Sequence, residues 1–244
     1  MTTQTYIILA AGSGSRISPH FNGLHKSLIP VHGISTLERN LEAISSVDPT
    51  AKVVLVTGSK SKQFSHIDVL QVRNPKWQDS GQIVSLLHGS GEMTGSQLIV
   101  QYADSLISKS NLRKLLHSRA QAVVGSIPFW KEMWGRRFED PQDDLESFQR
   151  DGHFVRGLGE KPAVVEKIQG QFSGTFMVNT ELIEFFENLA HTNPKISSTA
   201  ALDQFIKQGG KLEAVDFESP WYEVDTPRDW MVAEAICKEW DQTT

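Results

Sequence analysis

The chain has 244 residues, 39% of them hydrophobic and 22% charged, with a net charge of −5. That length can bury a sizeable core in one large α/β domain, and the negative balance excludes a general polyanion binder, so nucleic acid is not an expected partner. The single cysteine, Cys237, excludes an internal disulfide, and with no apolar run of membrane-spanning length the simplest expectation is a cytoplasmic protein without a membrane partner.

Taken in chain order, "MTTQTYIILAAG" has no basic leader region and its apolar run breaks at Gly12, so "TYIILA" (5–10) reads as a buried strand. "STLERNLEAISSV" (35–47) predicts a helix with Leu37, Leu41 and Ile44 on one face, and Ser35 with Glu38 supplies a capping box. "KVVLVTG" (52–58) and "DVLQVRN" (68–74) are short β-rich runs ending in turn residues. "QIVSLLHG" (82–89) predicts a helix, "QLIVQYAD" (97–104) a strand ending in an acid, and "QAVVGSIP" (121–128) another strand. This βαβ alternation implies a parallel sheet with helices on both faces.

The second half is less regular. "FWKEMWGRRFEDPQDD" (129–144) mixes aromatics, arginines and acids, and two hairpin-like segments are expected before "GQFSGTFMVNTELIEFFENLA" (170–190). In "WYEVDTPRDWMVAEAICKEW" (221–240), Thr226 suits a helix cap, Pro227 the first turn, and Asp229 the position three residues after the cap. Asp225 is thereby placed at a strand-to-helix junction, and functional residues of open α/β sheets gather at carboxyl strand ends.

The loop "ILAAGSGSR" (8–16) joins a buried strand to a segment without side-chain bulk, which lets a ligand approach backbone N–H donors that suit phosphate oxygens. Ile17 replaces the third glycine of a dinucleotide fingerprint, and no P-loop is present. Arg16 closes the loop and Lys26 follows in "HKSLIPV", two cations that together suit a triphosphate. The eight histidines form no HExxH motif and no serine lies in G-x-S-x-G, so neither zinc nor covalent catalysis has a candidate.

"LAAGSGSR" followed by "KSLIPV" resembles the signature LAAGxGxR…PKxL of nucleotidyltransferases that activate sugar phosphates and small phosphorylated alcohols. The resemblance runs over about residues 6–235. It implies a Rossmann-like α/β fold with a mostly parallel sheet flanked by helices, as one domain over 1–244 with an acceptor-binding insertion at 129–172. His25 stands where the family has proline, a departure expected to affect loop shape more than chemistry. By the same resemblance Leu9, Ala10, Ala11, Gly12, Ser13, Gly14, Ser15, Arg16 and Lys26 bind nucleotide. Asp104, in "YADSL", and Asp225, in "YEVDTPRDW", carry Mg²⁺, an ion that takes only one or two protein carboxylates.

"NPKWQDSGQIVSLL" (74–87) resembles the N-x-x-[WY]-x-x-[TS]-N-x-x-S-L element of cytidylyltransferases for phosphocholine and related compounds. Asn74, Ser80 and Ser85 match, and Gln82 joins them, while Gly81 replaces the asparagine and leaves the base preference open. The stretch Trp130, Trp134, Arg137, Phe138, Asp140, followed by Asp144, Glu146 and "GLGEKP", resembles the acceptor half of cytidylyltransferases for phosphoglutamine-type and aminoalkylphosphonate substrates. Arg136, Arg137 and Lys161 suit an acceptor phosphate or phosphonate, Asp144 and Glu146 a substrate ammonium, and Trp130, Trp134 and Trp221 water exclusion or stacking on a cation. The expected activity is Mg²⁺-dependent transfer of CMP from CTP to such an acceptor, with Arg16, Lys26 and Lys161 as catalytic cations. Alternatives are a sugar-1-phosphate enzyme using UTP, GTP or dTTP, and a non-catalytic nucleotide-binding regulator. A homodimer is expected only by analogy with relatives.

Overall fold

A computed structural model describes residues 3–140, 143–159 and 165–241. Strand β1 (Thr5–Ala10) is buried along its whole length, and β4 (Lys52–Thr57) and β6 (Gln97–Tyr102) lie parallel on its two sides. Strand β5 (Leu70–Arg73) extends the sheet beyond β4, while β10 (Gln171–Asn179) runs antiparallel between β6 and β7 (Ala122–Ile127). Beyond β7 come β11 (Glu213–Asp216) and a hairpin of β9 (Phe154–Leu158) and β8 (Phe148–Asp151), giving the order β5-β4-β1-β6-β10-β7-β11-β9-β8. Only β9 and β10 oppose the common direction. A separate two-stranded ladder pairs β2 (Pro30–Val31) with β3 (Ile34–Ser35).

Alternating side chains of these strands divide the core into two apolar layers. One face buries Tyr6, Ile8, Leu55 and Ile99 under α1 (Thr36–Val47), α3 (Lys109–His117) and α7 (Pro227–Asp241). The other buries Ile7, Val54, Val56 and Val100 under α2 (Gln82–Ser90), α5 (Thr180–Thr192) and α6 (Ser198–Lys207). The period of two along the strands requires both faces to be covered, which is the Rossmann-like arrangement the sequence predicts. No helix among the described residues is long and apolar enough to cross a membrane.

The predicted strands at 5–10, 52–58, 68–74, 97–104 and 121–128 and the helices at 35–47 and 82–89 are present within a few residues. The capping box of Ser35 and Glu38 forms in both directions. Between 129 and 172 the chain forms α4 (Trp130–Arg137), which buries Trp130, Met133, Trp134 and Arg137, and a single hairpin among the described residues where two were expected. The strand expected before Asp225 is reduced to one bridge between Ser105 and Glu223.

The turn after β6, which carries Asp104, is held from α1. Buried Asn40 donates from Nδ2 to the Ser105 carbonyl at 2.9 Å and accepts from the Ile107 N–H at 2.9 Å. Removing the amide strands a buried backbone donor, so Asn40→Ala should lower unfolding free energy in urea by about 2 kcal/mol.

Candidate active site

A cleft of about 360 Å³ opens at the carboxyl ends of β1 and β6, beside the segment that follows β5. Three carboxylates, from Asp104, Glu223 and Asp225, meet there with donor oxygens within 4.8 Å of one another. Asp104 follows β6, whereas Glu223 and Asp225 lie two residues apart on the extended segment leading into α7, where alternate side chains share a side. Lys26 projects its ammonium between Asp104 and Asp225, contacting both. Arg16 completes the cluster, its guanidinium 2.6 Å from the second Asp225 oxygen.

Burial alone would lower the Lys26 pKa, but the Asp104 and Asp225 carboxylates hold it above the ordinary lysine value. Burial raises Asp104, with Lys26 opposing, and raises Glu223 well above the usual carboxylate range, with Arg137 opposing. Asp225 goes the other way: burial would raise it, yet Lys26 and Arg16 together hold it below the ordinary value. Glu223 is a site residue that sequence reading passed over. The signal was present in "YEVD", because a residue two positions before Asp225 on an extended strand faces the same way.

Arg137 does not line the cleft. Its guanidinium is buried, donating from Nε to Asp229 at 2.8 Å and from an NH2 group to Glu223 at 3.1 Å. The Trp134, Phe138 and Trp221 rings lie 4.9, 5.0 and 5.8 Å from it. Trp134 and Trp221 stack with centroids 5.6 Å apart. Trp130 is a core residue away from the cleft, while Trp134, Asp144 and Glu146 line it. Glu146, whose carboxylate accepts from the Thr199 hydroxyl at 2.9 Å, has its pKa pushed up to about 7 by burial. Lys161 lies outside the described residues. Tyr102 and Phe172, neither of them singled out in the sequence, complete this end beside β10.

The opposite wall is built by Leu9, Ala11, Gly12, Trp77, Ser80, Gly81, Gln82 and Ser85. Ala10 is buried in the sheet, and Ser13, Gly14 and Ser15 form the turn, with Gly14 at φ +62° and its carbonyl receiving the Ser18 N–H at 2.9 Å. Asn74 is buried beneath the wall, its amide donating to the Ser80 and Ser85 hydroxyls at 2.9 and 3.0 Å. A Cβ on Gly81 would collide with the Ile196 carbonyl, and the Gly81 N–H bonds the Pro194 carbonyl at 2.8 Å. The absent asparagine is thus explained by the close approach of the 194–196 loop.

With the motif residues that follow β1, β5 and β6 gathered around one cleft, residues 6–155 match the model of the MobA-like NTP transferase domain. The chain belongs to that family. This transferase is 22% identical over 243 residues to the CTP:phosphoglutamine cytidylyltransferase of Campylobacter jejuni, covering 91% of this chain and 96% of the relative. In fold it is similar to the inositol-1-phosphate CTP transferase of T. maritima, with a TM-score of 0.77, 18% identity and coverage of 97% and 96% of the two chains. It is likewise similar to the CTP:phosphocholine cytidylyltransferase of Streptococcus pneumoniae, with a TM-score of 0.71, 19% identity and coverage of 97% and 100%.

His25, at the family's proline position, is buried, and desolvation followed by Lys26 lowers its pKa from 6.5 to about 4. Between those values the unfolded chain binds a proton at residue 25 that the folded chain rejects, so this group's share of stability is lost as pH falls through that window. Unfolding measured across about pH 7 to 4 should show the wild type losing on the order of 3 kcal/mol more than His25→Gln over the interval.

Proposed function

We propose that this transferase moves CMP from CTP to a small phosphate or phosphonate acceptor and releases pyrophosphate. The observation that carries the reading is the carboxylate cluster clasping Lys26 at one end of the β1 loop, together with relatives named as CTP-dependent cytidylyltransferases. An acceptor oxygen, already ionised, attacks the α-phosphorus in line; the new P–O bond forms as the bond to the pyrophosphate oxygen breaks. No general base is required, and the chain's task is alignment and charge neutralisation.

Arg16, Lys26 and the backbone N–H groups of the 11–16 loop hold the triphosphate, while Ser80, Gln82 and Ser85, braced by Asn74, face the base. Asp104 and Asp225, with Glu223 beside them, fit Mg²⁺: three hard oxygen donors converge within 4.8 Å. When bound, that ion supplies charge neutralisation at the α-phosphate. At the other end Asp144, Glu146 and Trp134 suit an acceptor bearing an ammonium or amide nitrogen, and Lys161 its phosphate. Arg137 acts here as a positioning residue, since its contacts are Glu223 and Asp229. The 129–172 segment thereby forms the acceptor side of a single domain.

Pyrophosphate release with Mg²⁺ should appear when CTP is paired with one member of a panel of phosphoglutamine, aminoethylphosphonate and phosphocholine. Release confined to UTP, GTP or dTTP with a sugar 1-phosphate would overturn the reading. In the active pairing, Asp104→Asn and Asp225→Asn should each reduce kcat/KM by about a thousandfold while circular dichroism stays that of the wild type.

A further inference from the structure

The imidazole of His25 makes contacts that the proline of the family pattern has no atoms to make. Its Nε2 lies 3.0 Å from the Gly12 carbonyl, in the wall of the cleft, and its Nδ1 lies 3.2 Å from the Ser27 backbone nitrogen and 2.9 Å from the Ser27 hydroxyl. A carbonyl only accepts and a backbone N–H only donates, so these partners together require the neutral tautomer with hydrogen on Nε2. Phe64 covers the ring edge-on with centroids 4.9 Å apart. The backbone at residue 25 has φ −65°, a value proline also adopts, and its N–H donates to Gln63 Oε1 at 2.8 Å, a bond proline lacks but glutamine and asparagine at this position keep, so those two substitutions isolate the side chain.

We infer that His25 is a positioning residue for the nucleotide, pinning the β1 loop to the Lys26 segment. The inference rests on the proposed role of that loop in holding a triphosphate. In a planar trans peptide the carbonyl and the following N–H point in opposite directions. Drawing the Gly12 carbonyl inward to buried His25 therefore turns the Ser13 N–H outward, to the side where Gly12 is exposed in the cleft. The same ring, through Ser27, fixes the turn that carries Lys26. Gly14 reinforces the joint, because a Cβ at that position would stand 3.2 Å from the Lys26 Cβ. One side chain thus sets the spacing between a backbone donor and an ammonium that act on the same ligand.

Two substitutions separate the halves of this contact. His25→Gln keeps a donor amide with the reach of Nε2, whereas His25→Asn keeps an acceptor near the place of Nδ1 and falls short of Gly12. Calorimetric titration with CTP and Mg²⁺ should find His25→Gln within about threefold of the wild type and His25→Asn weakened by about tenfold or more. Steady-state assays should place the His25→Asn loss in KM for CTP, with kcat little changed. Long-range ¹⁵N–¹H correlation spectra of histidine-labelled wild type at neutral pH should show the Nε2–H tautomer at residue 25. Equal CTP affinities for the two variants, or the Nδ1–H tautomer, would overturn the inference and leave the nucleotide reading intact. A wild-type protein that binds none of CTP, UTP, GTP and ATP would overturn both.

Discussion

Two buried aspartates side by side stay ionised together when a cation joins them, and the site is organised around the ammonium of Lys26 between Asp104 and Asp225. Each partner arrives from a different element: Lys26 from the turn after the β1 loop, Asp104 from the end of β6, Asp225 from the entry to α7. The parallel alignment of β1 and β6, with Leu9 opposite Tyr102, puts two of these elements at the same edge of the sheet. The third is tied in by the Val224 N–H, which bonds the Asp104 carbonyl at 3.0 Å. Fold and charge pairing therefore specify the same geometry.

A second layer supports the first. Asp229 caps α7 through Thr226, accepting from its backbone N–H at 2.8 Å and its hydroxyl at 2.9 Å, and also receives the Asp225 N–H at 3.2 Å. Its other oxygen takes Arg137, which continues to Glu223. A helix cap, a buried guanidinium and a cleft carboxylate thus form one network, so that the start of α7 and the end of α4 act together on the same edge of the cleft. The Trp134–Trp221 stack keeps that network dry on one side, which strengthens every charge interaction within it.

The first half of the fold was readable because its strands are uninterrupted apolar runs bounded by turn residues, and because Ser35 and Glu38 mark a helix start. Helix α4 was not, since one of its buried positions, in register with Trp130, Met133 and Trp134, is occupied by Arg137. A charge at a core position hides the helical period, and only the distant Asp229 and Glu223 make it tolerable. The 8–16 loop, Lys26, Asp104 and Asp225 were legible as motif residues, and they converge. Asn74 and Arg137 were legible as important but not as to what they touch: each is buried one layer behind the cleft and acts through other side chains. Tyr102 and Phe172 reach the cleft through sheet order and strand pairing, which no local pattern encodes, whereas Trp77 sits within the 74–87 element and Glu223 two residues before Asp225.

The proposed chemistry requires the carboxylate cluster to receive a divalent cation together with the nucleotide. Crystals grown with CTP and Mn²⁺ would answer this through anomalous scattering. A manganese peak coordinated by the Asp104 and Asp225 carboxylates and by phosphate oxygens is the expected result. Nucleotide bound in the cleft with Lys26 still clasped between both aspartates, and manganese absent from them, would contradict the account.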